Sequence, residues 1–202
     1  MQSTGEFELG ILTQEAAQAA RPANPALTID SALTVGLEPC GLVAVRSLED
    51  MQAAINRVAA SAQRLMSIYT PDMEPDLYDQ SPFLDIAKRF VLARNFAKIR
   101  VLISVSKRLP RDDNRFVAMG RRLGSYIEMR FTAHPIPQRA TSYLIADDRA
   151  LVLRCGSGVA EANAWNGVVD FASTANARCV LNEFDVVWQA NIPDDQAQTA
   201  AM

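Results

Sequence analysis

The stretch Ala140–Ser157, ATSYLIADDRALVLRCGS, decides how this chain is read. Ser142 to Ala146 and Ala150 to Arg154 are short apolar runs, and Asp147, Asp148 and Arg149 between them are turn formers. The segment therefore predicts a β-hairpin that runs into Gly156-Ser157. Upstream, Ile99 to Val105 is the clearest strand of the chain. Tyr126 to Phe131 alternates Ile127, Met129 and Phe131 with Tyr126, Glu128 and Arg130, the period of a half-buried strand. Leu65 to Tyr69 reads as a buried strand ended by Thr70 and Pro71, and Leu42 to Val45 as a further short apolar run.

Helical patterns separate these runs. Ser47, with Asp50 three residues on, forms a capping-box-like start for Leu48, Met51, Ile55, Val58 and Ala62 at helical spacing. Ser81 as N-cap and Pro82 in the first turn open a second helix, with the stripe Phe83, Ile86, Phe90, Ala93 and Ala97. Asp112 or Asp113 caps a third, which turns Phe116, Met119 and Leu123 inward and stops at Gly124. After the hairpin, a last helix from about Ala175 to Ala190 presents Val180, Phe184, Val187 and Trp188 on one side. Strands separated by helices of this length imply right-handed crossovers. The expected fold is α/β: three αβα layers around a mixed, largely parallel sheet.

Composition sets the limits. A chain of 202 residues, 49% hydrophobic and 21% charged, can bury one sizeable core. Residues 13–28 are rich in Ala, Gln and Pro without large apolar side chains at a steady period. The expected organisation is a flexible extension over 1–40, one domain over 41–193 and a flexible tail over 194–202. Cys40, Cys155 and Cys179 form no CxxC pair, the usage of a reduced compartment, so the expected location is the cytoplasm. Glu6 and Glu8 precede a short apolar run, unlike a signal peptide, and no window approaches the length of a membrane span.

The order of elements, the hairpin YLIADDRALVLRCGS and a closing helix with Phe184 and Trp188 four apart resemble one half of a phospholipase D superfamily protein. The segments MSIYTPDMEPDLYD, FVLARNFAKIRVLIS, MGRRLGSYIEMRF and NEFDVVWQAN further resemble a proteobacterial domain family of unknown function, found alone or beside a GNAT-type acetyltransferase. That resemblance implies a phospholipase D-like half-domain and an acetyltransferase as one candidate protein partner. The superfamily reaction uses H-x-K-x4-D followed by a Gly-Ser pair: the His attacks phosphorus, the Lys neutralises the phosphate, and a second His from a partner half acts as general acid.

This chain departs from that motif where the chemistry lies. Setting Asp147 at the motif's Asp puts Ala140 at the His and Ser142 at the Lys, whereas setting Asp148 there gives Thr141 and Tyr143. Neither register restores an imidazole or an ammonium. Gly156-Ser157 remains, so Asp147, Asp148 and Ser157 are the residues of a vestigial pocket. His134, the sole histidine, precedes the hairpin within HPIPQRA, with Ile136 rather than Lys two residues later. It is either a loop histidine beside Pro135 and Pro137 or the nucleophile of a residual phosphodiesterase assembled across a homodimer. Cys155-Gly156-Ser157-Gly158 lacks the spacing of a nucleophile elbow, GxGxxG fails at Glu161, and no paired ligand spacing points to zinc. No cofactor and no metal are expected.

Charge gives the one positive indication of a partner. Net charge is −3, yet residues 88–130 hold twelve bases against three acids. Lys107, Arg108, Arg111, Arg115 and Arg122 are the candidate anion-binding residues, since an arginine fork matches phosphate bidentately and open α/β sheets bind ligands at the carboxyl ends of their strands. The alternative is pairing within the molecule to Asp72, Glu74, Asp76, Asp79 and Asp85, or a solvated face. The sequence thus predicts a catalytically inactive binding or interaction module for a phosphate-containing or nucleic-acid ligand, with the residual enzyme as the alternative.

Overall fold

A computed structural model of the chain describes residues 37, 41–104, 114–132, 142–155 and 165–191. Among them, seven strands form one sheet: β1 (Leu42–Val45), β2 (Leu65–Thr70), β3 (Lys98–Ser104), β4 (Ile127–Thr132), β5 (Ser142–Ala146), β6 (Ala150–Cys155) and β7 (Asn166–Asp170). Their spatial order is β1-β7-β6-β5-β2-β3-β4. The β2–β3 and β3–β4 pairs are parallel and the other four antiparallel, so β5 and β7 run against the remaining five strands. This is the mixed α/β sheet expected from the sequence.

The helices are α1 (Leu48–Ser61), α2 (Pro75–Tyr78), α3 (Ser81–Ala93), α4 (Arg115–Arg122) and α5 (Thr174–Ala190). Ser47 caps α1 as expected, its hydroxyl accepting from the Asp50 amide at 3.0 Å. Met51, Ile55 and Val58 of α1 bury against Met66, Ile68, Leu144 and Val152 of the sheet, in a core that also takes Phe83 and Phe90 of α3 and Phe116 of α4. The opposite face packs Tyr69, Leu102, Tyr143, Ile145 and Leu153 against Val180, Phe184 and Trp188 of α5. Burial on both faces is why β5 and β6 read as continuous apolar runs rather than alternating ones. Arg130 holds the end of α5 to the edge strand β4: its guanidinium lies 4.1 Å from the Trp188 ring centre, and its Nη1 donates to the Trp188 carbonyl at 2.6 Å.

Local expectations need three corrections. Gln80, not Ser81, is the N-cap of α3, and the Ser81 hydroxyl instead accepts from Arg115 Nη1 at 3.3 Å. Asn114 rather than Asp112 or Asp113 caps α4, its Oδ1 accepting from the Phe116 and Val117 amides at 2.9 and 3.1 Å. The short helix α2 and the strand β7 have no counterpart in the sequence reading. β7 sits between β6 and β1, and Gly167 makes this approach feasible, because a Cβ there would collide with the Leu153 carbonyl oxygen.

Candidate functional site

β2, β3 and β4 end at Thr70, Ser104 and Thr132, while β5 begins at Ser142 directly opposite Arg154 in β6. These positions share one border of the sheet, its carboxyl edge, and all five side chains are buried. A row of hydroxyls beside an arginine is unusual for a strand end in a core otherwise built of Val, Ile and Leu. Burying such groups is costly unless they are bonded.

Glu74 provides the main contact. Arg154 Nη1 donates to Glu74 Oε1 at 2.7 Å, and Thr70 Oγ1 donates to Glu74 Oε2 at 3.1 Å. The two charged side chains are 10% and 6% exposed respectively, and the Arg154 guanidinium lies 4.7 Å from the Trp165 ring centre. The sequence places Glu74 there through a tight turn after β2. Met73 and Glu74 take positive φ of 66° and 27°, and Asp72 Oδ1 accepts from the Glu74 amide at 3.2 Å. Such backbone costs on the order of 1–3 kcal/mol per residue, so the surroundings must hold it in place. Here the fully buried Met73 side chain and the Glu74–Arg154 pair do so.

Burial pushes the Glu74 carboxyl above its ordinary range, while Arg154, Ser142 and Thr70 pull it back. Burial likewise raises Tyr69 and carries Tyr78 and Tyr143 well above the ordinary phenol value. These phenols stay protonated at neutral pH. The cluster holds a buried charge pair and offers no imidazole or ammonium among the described residues. No three His, Cys, Asp or Glu side chains gather to hold a metal among those residues, and no helix there is long and apolar enough to cross a membrane.

Asp147 and Asp148, two of the three residues expected at a vestigial pocket, lie elsewhere. Asp147 and Asp148 occupy the turn at the far end of β5, roughly 16 Å from Ser142 at the usual strand rise. Asp147, with φ of 54°, accepts three backbone amides: Gln63 N at 2.8 Å, Arg64 N at 2.8 Å and Leu65 N at 2.9 Å. Its carboxylate sets the entry of the chain into β2. Asp148 pairs with Arg178 at 2.7 Å, and that hydrogen bond lowers its carboxyl below the ordinary range. Both aspartates are thus engaged in holding the turn, apart from the carboxyl-edge cluster. Ser157 and His134 lie outside the described residues, as do Lys107, Arg108 and Arg111.

Arg115 is on the carboxyl edge but already engaged, with Nε on Asp79 Oδ1 at 2.7 Å and Nη2 on the Asp79 carbonyl. Pairing to the acidic stretch, the alternative weighed from the sequence, is what it does. Arg122 is exposed at the other end of α4, about 10 Å away at the helical rise, so the two do not line one groove. Sequence reasoning named Glu74 only as a partner for the basic segment, and it missed Arg154 and the pair the two form. The available signal was Arg154 itself, a charge in an apolar strand at the same parity as the inward-facing Val152.

No curated protein matches the chain in sequence. Solved structures share its fold. TrmBL2, an archaeal chromatin protein with a novel mode of DNA binding, is 14% identical with a TM-score of 0.58; the match covers 79% of this chain and 55% of that one. The chain thus spans little more than half the length of TrmBL2. Nuc, a phospholipase D family member from Salmonella typhimurium, is 18% identical with a TM-score of 0.51, over 75% of this chain and 96% of that one. NucT from Helicobacter pylori is 11% identical with the same TM-score, over 75% and 97%. The likeness is one of fold, and the fold is phospholipase D-like. Residues 47–199 match the domain of unknown function DUF7931, and the chain belongs to that family.

Proposed function

We propose that the domain is a phospholipase D-like module that binds a phosphate-bearing ligand, nucleic acid foremost, without turning it over. The observation that carries this reading is the Glu74–Arg154 pair beside Ser142, the position that the motif alignment sets at the phosphate-neutralising lysine. An arginine clamped to a buried carboxylate is no nucleophile and gives up no proton at neutral pH. Glu74, with Arg154 on one oxygen and Thr70 on the other, is held against attack on phosphorus. Lys107, Arg108 and Arg111 fall between Ser104 and Asn114, both at the carboxyl edge, and provide the cations for an anionic ligand there. Fold likeness to a DNA-binding chromatin protein supports nucleic acid as the ligand class.

The test uses the full chain. Expected results are no hydrolysis of bis(p-nitrophenyl) phosphate and salt-dependent retention on heparin and RNA, weakened in K107E/R108E/R111E. Indifference to both heparin and RNA sinks the binding reading. Hydrolysis abolished by His134→Ala establishes the enzyme instead, since β4 ends at Thr132, two residues before His134 and on the same edge.

A further inference from the structure

The opposite border of the sheet, the amino edge where β2, β3 and β4 begin, carries the stronger described concentration of unpaired bases. An open cleft of about 610 Å³ is lined there by Gln63, Arg64, Arg94, Phe96 and the turn Asp147, Asp148, Arg149. Arg64 precedes β2, Arg94 follows α3, and Arg149 tips the β5–β6 hairpin, so three separate elements aim an arginine at one cleft. None of the three makes an ion pair among the described residues. The two acids of the lining are both engaged, Asp147 by three backbone amides and Asp148 by Arg178. Exposed Arg122, at the end of α4, extends the basic border toward β4.

Two simpler roles for these arginines fit less well. Arg64 and Arg94 stand just beyond the C-termini of α1 and α3, where a cation complements the helix dipole. Neither guanidinium, however, donates to a helix carbonyl among the described residues, as Arg89 does to Asp85 at 3.3 Å. A solvated charged face, the other role, does not account for Phe96. Its side chain is 58% exposed beside the arginines, although a large aromatic ring gains most from burial. Cations that track a phosphate backbone, with an open aromatic face beside them, are what a single strand with unstacked bases requires.

We infer that the amino-edge cleft is a single-stranded nucleic-acid site, in which Arg64, Arg94 and Arg149 contact successive phosphates and Phe96 stacks on a base. The inference rests on the nucleic-acid reading above for its ligand class, and it locates a contact on the border opposite the superfamily's reaction site. It involves no covalent step. The site gives the fold a second place to hold nucleic acid, on the border away from the Glu74–Arg154 pair and the carboxyl-edge cations.

The test is fluorescence anisotropy of labelled dT12, U12 and a 12-base-pair duplex with the full chain, at 50 and 150 mM salt. R64E/R94E/R149E is expected to weaken dT12 binding at least tenfold and, with three phosphate contacts gone, to lower the salt slope by about 2. The neutral R64Q/R94Q/R149Q variant gives the same direction with a smaller loss, and unchanged thermal midpoints show that both fold. Phe96→Ala is expected to weaken dT12 and U12 by roughly 5- to 150-fold, the range of one base stack, while leaving heparin binding intact. Wild-type affinity in R64E/R94E/R149E alongside lost affinity in K107E/R108E/R111E overturns the amino-edge site and leaves the carboxyl-edge reading standing. Absence of nucleic-acid binding by the wild type at 50 mM salt overturns both. Tighter binding of the duplex than of dT12, unaffected by Phe96→Ala, overturns the single-strand assignment.

Discussion

Arg154→Met tests the central feature of the carboxyl edge. The substitution keeps an unbranched side chain of similar reach over Trp165 but removes the cation 2.7 Å from Glu74 Oε1, leaving a carboxylate that is 6% exposed. Removing one partner of a buried pair costs about 3–5 kcal/mol, because the remaining charge has neither water nor counter-ion. At roughly 2–4 °C per kcal/mol for a domain of this size, the thermal midpoint falls by about 6–20 °C at pH 8. Burial already lifts the Glu74 carboxyl above its ordinary 4.5, and Arg154 is the largest influence opposing that rise. Without Arg154 the carboxyl titrates higher still. A carboxyl raised in the folded state contributes stability that is fully present below its unfolded value and is lost as pH climbs through the folded value. Acid therefore rescues the variant: Glu74 takes up a proton and ceases to be a buried unpaired charge.

Urea unfolding at pH 5 and pH 8 reads this directly, using wild type, Arg154→Met, Glu74→Gln and the double variant. Gln at 74 keeps an acceptor oxygen and removes the titrating group. The double variant should recover most of the lost stability at pH 8 and should lack the acid rescue. If Arg154→Met is no less stable at pH 8 than at pH 5 relative to the double variant, the charge-pair account fails. It fails equally if the double variant is as unstable as the single one.

The parts of this fold that were legible in the sequence share a physical basis. β5 and β6 lie between two cores, so every position but Arg154 is apolar or small, and the turn Asp147-Asp148-Arg149 between them is a local feature. The stripes of α1 and α5 were legible for the same reason, since each has one side against the sheet. β7 was not, because only Val168 and Val169 carry an apolar signal; its strand state comes from its place between β6 and β1, the latter far off in sequence. The Glu74–Arg154 cluster joins residues eighty positions apart, and no spacing rule connects them. The role of Asp147 was hidden in a similar way. A turn aspartate is expected to serve its own turn, whereas this one receives the amides of residues 63–65, more than eighty positions earlier. The apolar runs and the turn between them thus marked the hairpin, while its register and the partners of its charged residues followed from the tertiary fold.

Two further predictions separate backbone geometry from bonding at these positions. Asp147→Asn, which tolerates the positive φ of 54° but leaves one acceptor oxygen in place of a carboxylate, should cost about 2–4 kcal/mol in urea unfolding through the lost charge-assisted bonds to three amides. Gly167→Ala should destabilise by about 2–3 kcal/mol and raise amide exchange at Val168 and Val169, whereas Gly124→Ala should be neutral or stabilise by about 0.4–1 kcal/mol. The contrast lies in what each added methyl meets. At Gly167 it strikes the Leu153 carbonyl oxygen, part of the neighbouring strand, and lies 2.6 Å from Met51 Cε; at Gly124 the nearest heavy atom is 3.8 Å away. The Met51 side chain can turn aside, but the Leu153 backbone cannot retreat without parting β6 from β7, so the cost falls on the ladder itself. Equal effects of the two substitutions would show that β7 is not held against β6 in this register.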